Sequence, residues 1–299
     1  MNLRHLSYLA ALAREGHFHR AAQASHITQP TLSAAIRQLE EEVGAQLVRR
    51  SQQRFEGFTP EGLKVLEWAR RIVADVDALK QSLAETRGKL RGHLRIGIIP
   101  TAEPLAGEIA GAFLRRHPAA SITLLSMTST EIERGIAEHS LEAGISYVDE
   151  APPRGLTAMP LYAERYVLIG ATRLLGRKQA LTWRGAAALP LVLLNREMQN
   201  RRLIDRHFAA VDAAPVVVAE ASTLVGLLSH VRAGLGCGII PRTFAALIGK
   251  LPGLRVLPLE APDAAHQVGL LIPARTPLQP LTQALADALR ETPIDASGS

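Results

Sequence analysis

The stretch from Phe18 to Arg50 constrains this chain more than any other. It runs Phe18-His-Arg-Ala-Ala-Gln-Ala-Ser25, a polar corner His26-Ile-Thr28, and then Gln29-Pro-Thr-Leu-Ser-Ala-Ala-Ile-Arg-Gln-Leu-Glu40. Two short helices joined by a tight corner predict a helix-turn-helix. Thr28 is placed to cap the second helix, and Pro30 falls in its first turn, where a missing N–H costs nothing. Leu32, Ile36, Leu39 and Val43 recur at spacings of four, three and four, which predicts one buried stripe. Gln29, Ser33 and Arg37 share another face. An amide, a hydroxyl and a guanidinium there can donate to base edges and phosphates in a major groove, although any amphipathic helix has a polar face.

The segments that follow extend the pattern. Leu47 to Thr59 predicts a two-stranded wing carrying Arg49, Arg50 and Arg54, which suits contact with phosphates or a minor groove; an ordinary solvated hairpin has the same look. Residues 1–92 hold 14 Lys+Arg against 10 Asp+Glu, a net of +4 out of +6 for the chain. The basic excess therefore lies toward the amino terminus, as nucleic-acid binding permits. From Pro60 to about Arg87 runs one helix, with Thr59 to cap it and Gly88 to close it. Val65, Ala69, Ile72, Val76, Leu79 and Leu83 alternate spacings of four and three, a heptad seam on a helix roughly 40 Å long. Pairing with the same helix of a second subunit is one use of such a seam. Packing on its own chain is the other.

Several functions find no residues to carry them. The 47% hydrophobic content supports two or three cores in 299 residues, and 4% aromatics makes those cores aliphatic. No apolar run approaches the ~20 residues of a membrane span, and the first residues lack a signal peptide's apolar core. Cys237, the one cysteine, excludes an internal disulfide framework and fits a reducing cytoplasm. Flanked by glycines, with no partner histidine or second cysteine, it reads as a packing residue rather than a nucleophile or redox sensor. His17 and His19 lack the further ligands a metal needs. Gly234, Gly236 and Gly238 follow a helix, whereas a dinucleotide loop follows a strand and opens a helix. No cofactor, metal site or catalytic constellation is expected, and no enzyme.

Gln29-Pro30-Thr31-Leu32-Ser33, Ile36, Leu39-Glu40, Leu47-Val48-Arg49-Arg50 and Thr59-Pro60-Glu61-Gly62 together closely resemble the DNA-binding domain of LysR-type transcriptional regulators. Phe58 stands where that family usually has leucine, and Ser51-Gln52-Gln53-Arg54 is a plain version of its wing. Beyond Gly88-Lys-Leu-Arg-Gly92, strands and helices alternate from Leu94 to Arg290, predicting a parallel α/β sheet. Val231-Arg-Ala-Gly-Leu-Gly-Cys-Gly-Ile-Ile-Pro241 and Leu141-Glu-Ala-Gly-Ile-Ser146 resemble signatures of the family's effector module, with Glu142 where aspartate is commoner. The resemblance implies an α/β chain of four parts. A winged helix-turn-helix domain (1–59) precedes a linker and dimerisation helix (60–88) and a hinge (89–92). An effector domain like a periplasmic binding protein (93–299) follows, with lobe I at about 93–162 and 263–299 and lobe II at about 163–262.

Ligands of open α/β sheets sit beyond the carboxyl ends of strands, near helix amino termini. Here the first strand ends at Pro100-Thr101 and the second at Thr128-Ser129-Thr130, while Asn195 follows a later strand and Thr223 opens a helix. Matching the family's motifs points to Thr101 and Ser129 in particular. Hydroxyls beside unpaired N–H groups suit a carboxylate or another small anion, and serve equally well as helix caps. The expected partners are double-stranded DNA, read by Gln29, Pro30, Thr31, Ser33 and Arg37 with the wing arginines, and a small anionic, carboxylate-like effector at Thr101, Thr128, Ser129, Asn195 and Thr223. A homodimer through the linker helix is expected, with a homotetramer as a further assembly. The alternative function is a DNA-binding structural or silencing protein whose carboxyl-terminal module only assembles oligomers.

Overall fold

The computed structural model describes residues 1–51, 54–85, 90–260 and 265–296, leaving out the side chains of Ser51, Arg54, Gln81, Ala84 and Glu85. Asn2 caps α1 (Leu3–Glu15), and Gly16 ends it in the left-handed conformation. α2 (Phe18–Ala24) and α3 (Gln29–Val43) follow, the latter capped by the Thr28 side chain, with Pro30 in its first turn. Leu9, Leu12, Ala21, Leu32, Ile36 and Leu39 make the core of this domain. Val43 corrects the expected stripe, being 39% exposed. It is the last residue of α3, and the chain turns away at Gly44 before the core reaches it.

The wing is β1 (Val48–Ser51) paired antiparallel with β2 (Arg54–Phe58). Thr59 then starts α4 (Pro60–Glu85), its Oγ1 accepting from Gly62 N at 2.9 Å and donating to Gln46 O at 2.6 Å. Leu66 and Ala69 of α4 are buried in the amino-terminal domain's own core, where Val65, Ile72 and Val73 pack beside them. Ala69 thus leaves the expected seam. Trp68 (61% exposed) and Leu79 (62%) mark the uncovered apolar side of the helix, together with Leu83 (59%). Further along, α4 rests on the carboxyl-terminal module: Arg70 pairs with Glu138 and Arg275 with Asp75, each at 3.0 Å, and Gln279 Nε2 donates to Ala74 O at 3.4 Å.

That module opens with β3 (Gly92–Ile98), a 3-10 turn (Pro100–Leu105), α5 (Ala106–Arg116), β4 (Ala120–Ser126), α6 (Ser129–Ala137) and β5 (Ala143–Tyr147). A 16-residue strand, β6 (Leu156–Ala171), leads away to α7 (Thr172–Leu175), β7 (Leu181–Thr182), α8 (Trp183–Ala187), β8 (Pro190–Leu194) and α9 (Gln199–Ala210). Next come β9 (Val216–Ala221), α10 (Leu224–Arg232), β10 (Cys237–Pro241), α11 (Arg242–Ile248) and β11 (Leu254–Glu260). β12 (Ala265–Pro273) and α12 (Pro280–Glu291) close the chain's described path.

The strands lie in the order β4-β3-β5-β12-β6-β10-β8-β9. β4, β3 and β5 are parallel, as are β10, β8 and β9. The two groups are joined because residues 156–165 of β6 pair with β12 while 166–171 pair with β10 and β11. The result is two lobes. Lobe I packs Ile96, Phe113, Ile132, Leu270 and Leu285; lobe II has one cluster around Trp183, Leu191 and Phe208 and another around Leu194, Leu227 and Ile240.

The sequence pattern hid α9, and the reason is chemical. Only Leu203, Ile204 and Phe208 of this helix are large buried apolar residues. Arg201 fills the remaining place, its side chain 2% exposed, with Nη1 on Glu220 Oε1 (2.7 Å) and Leu194 O (2.8 Å) and Nε on Asp205 (3.0 Å). A buried guanidinium is tolerated only with such a set of acceptors. The first half of β6 was hidden by Pro160, which sits at the register shift of β12 between Val268 and Gly269, where a missing N–H is tolerated.

Gly62 lies where α4 meets the chain entering the wing. A Cβ there would fall 2.0 Å from Leu47 O and 2.8 Å from Leu47 C. Backbone atoms cannot step aside as a flexible side chain can, and overpacking of this kind costs about 1–3 kcal/mol. Gly62→Ala should therefore lower the thermal unfolding midpoint of the full chain and its DNA affinity together. Unchanged unfolding by circular dichroism would show that this junction is looser than the contact implies.

Candidate DNA interface and effector cleft

The amino-terminal domain presents a groove of about 560 Å³ lined by Phe18, Gln29, Pro30, Ser33, Arg37 and Arg50. Pro30, Thr31 and Arg37 are exposed, and Gln29 and Ser33 are half-buried. Thr31 Oγ1 lies 2.8 Å from Thr28 Oγ1, so its hydroxyl belongs in part to the helix start. Arg49 is exposed on the wing, and the side chain of Arg54 lies outside the described residues, as do Gln52 and Gln53.

Arg50 differs from an arginine free to follow phosphates. Its Nη2 meets Glu40 Oε2 at 3.0 Å, its Nη1 donates to Ser33 Oγ at 3.3 Å, and the guanidinium stacks 5.2 Å over the Phe18 ring. The other Glu40 oxygen accepts from Leu47 N (3.0 Å) and Val48 N (3.1 Å). One carboxylate thus ties the wing's entry to α3 and fixes Arg50 beside it. Sequence reasoning named Arg50 but missed Glu40 and Phe18. A carboxylate ten residues before an arginine gives no periodic signal.

In the carboxyl-terminal module the lobes meet around a cavity of about 10 Å³, lined by Thr101, Thr128, Ser129, Tyr147, Gln199 and Asn200 among others. That is room for about one water molecule. Thr101 is 1% exposed, and its Oγ1 lies 3.0 Å from Tyr147 Oη. Ser129 is 9% exposed, and its Oγ is buried without a hydrogen-bond partner. Thr128 reads mainly as a cap: its Oγ1 donates to Glu131 Oε2 at 2.8 Å and accepts from Glu131 N at 3.3 Å. The amino termini of α6 and α9 both reach this cavity, through Ser129 and Gln199.

The remaining two candidates are placed elsewhere. Thr223 caps α10 through Gly226 N at 3.0 Å and lines an outer groove of about 500 Å³, which shares Pro100, Thr128 and Met198 with the inner cavity. Asn195 lines neither space; its N–H donates to Ala221 O at 2.9 Å, and its Oδ1 is buried without a partner.

Sequence reasoning missed the floor of the cleft. Tyr147 Oη donates to Glu164 Oε1 at 2.5 Å and lies 3.4 Å from both Tyr166 Oη and Asn200 Nδ2. Glu164 is 1% exposed, and its Oε2 has no partner. Burial pushes this carboxyl up to about 7 against hydrogen bonds, from Tyr147 first, that pull it down. Asn200 contributes from lobe II and Tyr147 from lobe I, so this network crosses the cleft. Among the described residues no group of three or more histidines, cysteines or carboxylates could hold a metal, and no helix is long and apolar enough to cross a membrane.

Known proteins agree with this arrangement of parts. Residues 3–63 match the bacterial regulatory helix-turn-helix proteins of the lysR family, and residues 87–293 match the LysR substrate binding domain. The hydrogen peroxide-inducible genes activator of Pectobacterium carotovorum subsp. carotovorum is 29% identical over 97% of this chain and 96% of its own length. Full-length OxyR from Pseudomonas aeruginosa, a solved variant, superposes with a TM-score of 0.78 at 24% identity, covering 97% of this chain and 95% of its own. The full-length CbnR solved with its target DNA has the same fold, with a TM-score of 0.71 at 22% identity over 97% of this chain and 99% of its own. With both halves matched in order and the two-lobed module in place, the chain belongs to the LysR family and is a DNA-binding transcriptional regulator, not an enzyme.

Proposed function

We propose that this regulator works as a homodimer joined along α4 and is controlled by a small effector held without covalent bonds between its lobes. The observation that carries the effector reading is Ser129 Oγ, a buried hydroxyl lining the cavity with no protein partner. Such a group is costly unless something meets it. The amino termini of α6 and α9 favour negative charge at the same place, which supports a carboxylate or comparable small anion as the part of the effector that enters. Against Glu164 below it, such an anion fits best while that carboxyl keeps its proton. The closed cavity holds about one water, so a metabolite enters as the lobes separate.

The names of these relatives point to hydrogen peroxide, and the chemistry available here differs from thiol sensing. Cys237 is the chain's one cysteine and is 0% exposed. It packs in lobe II against Gly170, and burial raises its thiol above the usual range. The thiolate is the reactive form, and an internal disulfide needs a second cysteine. Asn200 and Gln199, not a thiol, face the cleft.

For DNA, Arg37 and Gln29 on the exposed face of α3 read sequence while Arg49 and Arg54 add affinity. Arg37→Ala should cost about 1–3 kcal/mol on operator DNA and relax discrimination, with little change on random DNA. Filter binding on both DNAs checks this, and equal affinities to wild type on each would show that α3 does not read the operator through Arg37. For the dimer, Leu79→Asp places a charge on the uncovered apolar row of α4. It should yield monomers in sedimentation and abolish operator binding; a dimer with normal DNA affinity would move the interface elsewhere.

For the effector, Thr101→Ala and Ser129→Ala should each leave basal DNA binding intact and remove the response to the effector. The measurement is calorimetry of the full chain with a panel of small carboxylates and with hydrogen peroxide, repeated on both variants. A carboxylate that binds wild type and both variants equally would mean that these hydroxyls are structural only. Modification of Cys237 by peroxide under native conditions, seen by mass spectrometry and linked to altered DNA binding, would replace this reading with a thiol-based one.

A further inference from the structure

A second contact crosses the lobe boundary, away from the cavity. His266, the second residue of β12, lies opposite Glu164 of β6, and its Nδ1 lies 2.9 Å from Asp149 Oδ2. Asp149 is fixed in turn, its Oδ1 accepting from Gln267 N at 2.8 Å. The other nitrogen of His266, Nε2, lies 2.8 Å from Nε2 of His207. His207 belongs to lobe II: it rides on α9 next to Phe208, and its ring is 4.7 Å from that of the buried Trp183. Asn200, two turns earlier on the same face of α9, reaches Tyr147 of lobe I. One face of α9 therefore closes lobe II onto lobe I.

Two imidazole nitrogens at hydrogen-bond distance must share one proton, one donating and the other accepting. With both rings neutral, His207 Nε2–H donates to His266, whose Nδ1–H donates to Asp149. With His266 charged, its two N–H groups serve Asp149 and His207. With both charged, two N–H groups and two positive charges face each other, and the contact is lost. The surroundings do not compensate a second charge. The groups facing the pair are Tyr147 and Tyr166, whose rings lie 6.1–6.3 Å away, with Glu164 hydrogen-bonded behind Tyr147. On the solvent side, Arg206 pairs with Glu150 at 3.2 Å.

We infer that Asp149, His266 and His207 form a proton-operated latch that holds the two lobes together while at most one of the two imidazoles is charged and releases them when His207 takes up a proton beside a charged His266. The inference stands on the contact between lobes and is independent of which effector the cleft takes. Burial first, and His266 second, push His207 down to about 4 in the closed form. Once the lobes part and water reaches the ring, it returns to about 6.5. The open form therefore binds the proton more tightly. Closure is fully favoured above about pH 6.5 and is lost as pH falls toward 4, the ratio of closed to open dropping about thirtyfold between pH 8 and 5.

The test uses the full-length protein and the emission of Trp183, which a charged imidazole at its ring quenches; Trp183→Phe identifies that component against Trp68. Between pH 8 and 5 the wild-type component should fall while solution X-ray scattering reports a larger radius of gyration. His207→Gln keeps an N–H donor toward His266 but does not titrate, so both signals should stay flat. A flat wild-type response overturns the latch, as does an equal fall in His207→Gln. Quenching without expansion also overturns it, since protonation would then not release the lobes. If circular dichroism shows that His207→Gln fails to fold, Asp149→Asn decides: without the carboxylate under His266 the doubly charged pair loses its anion, so release should move to lower pH, and an unmoved midpoint rejects the proposal.

Discussion

Sixteen residues of one strand, Leu156–Ala171, hydrogen-bond in both lobes, and most of what happens between the lobes follows from that. The backbone passes from the β12 pairing to the β10 and β11 pairings near Arg165, so side chains at the crossing are enclosed from two directions. Glu164 is the residue caught there. A carboxyl with 1% exposure and one unpartnered oxygen is held only because Tyr147 and its neighbours satisfy the rest of it. The same crossing sets the return strand alongside, which brings His266 opposite Glu164. Cleft floor and lobe-to-lobe histidine contact are thus two products of one strand.

Their responses to protons oppose each other. Glu164 is raised toward 7 by burial, so its neutral form is favoured in the fold, and its contribution is lost as pH rises from the usual carboxylate range through about 7. His207 is depressed to about 4, so its contribution is present above about pH 6.5 and is lost as pH falls.

At the other end of the chain a single carboxylate organises the junction of α3 and the wing. Glu40 joins the wing's entry to α3 through two backbone N–H groups and fixes Arg50 through its second oxygen. Hydrogen bonds to a charged group are about twice as strong as neutral ones, so this residue gives the groove a rigid wall rather than a mobile cation. α4 continues the rigidity. It is buried against the DNA-binding core at Leu66 and Ala69 and then touches the effector module at Glu138, Arg275 and Gln279.

Local chemistry made much of this legible in the sequence. Thr28 and Pro30 mark a helix start, and Leu32, Ile36 and Leu39 form its buried stripe. Thr101 and Ser129 were found because strand ends and helix starts carry punctuation, and both line the cavity. The winged helix-turn-helix and the two-lobed α/β architecture followed from such local signals and from the family resemblance they carried. What the sequence could not supply depends on neighbours distant along the chain. Ala69 and Trp68 differ by one position, and only the packing of α1 against α4 decides that Ala69 is covered while Trp68 is exposed. Asn195 follows a strand and Thr223 opens a helix, punctuation of the same kind as at Ser129, yet neither lines the inner cavity. Arg201 hides α9 by replacing an apolar residue with a cation whose acceptors sit on other elements. Glu164 and Tyr147 are 17 residues apart, His207 and His266 are 59 apart, and neither spacing has a period. Periodicity reports which face of an element is buried; which partner meets that face is decided when the chain crosses between the lobes and returns.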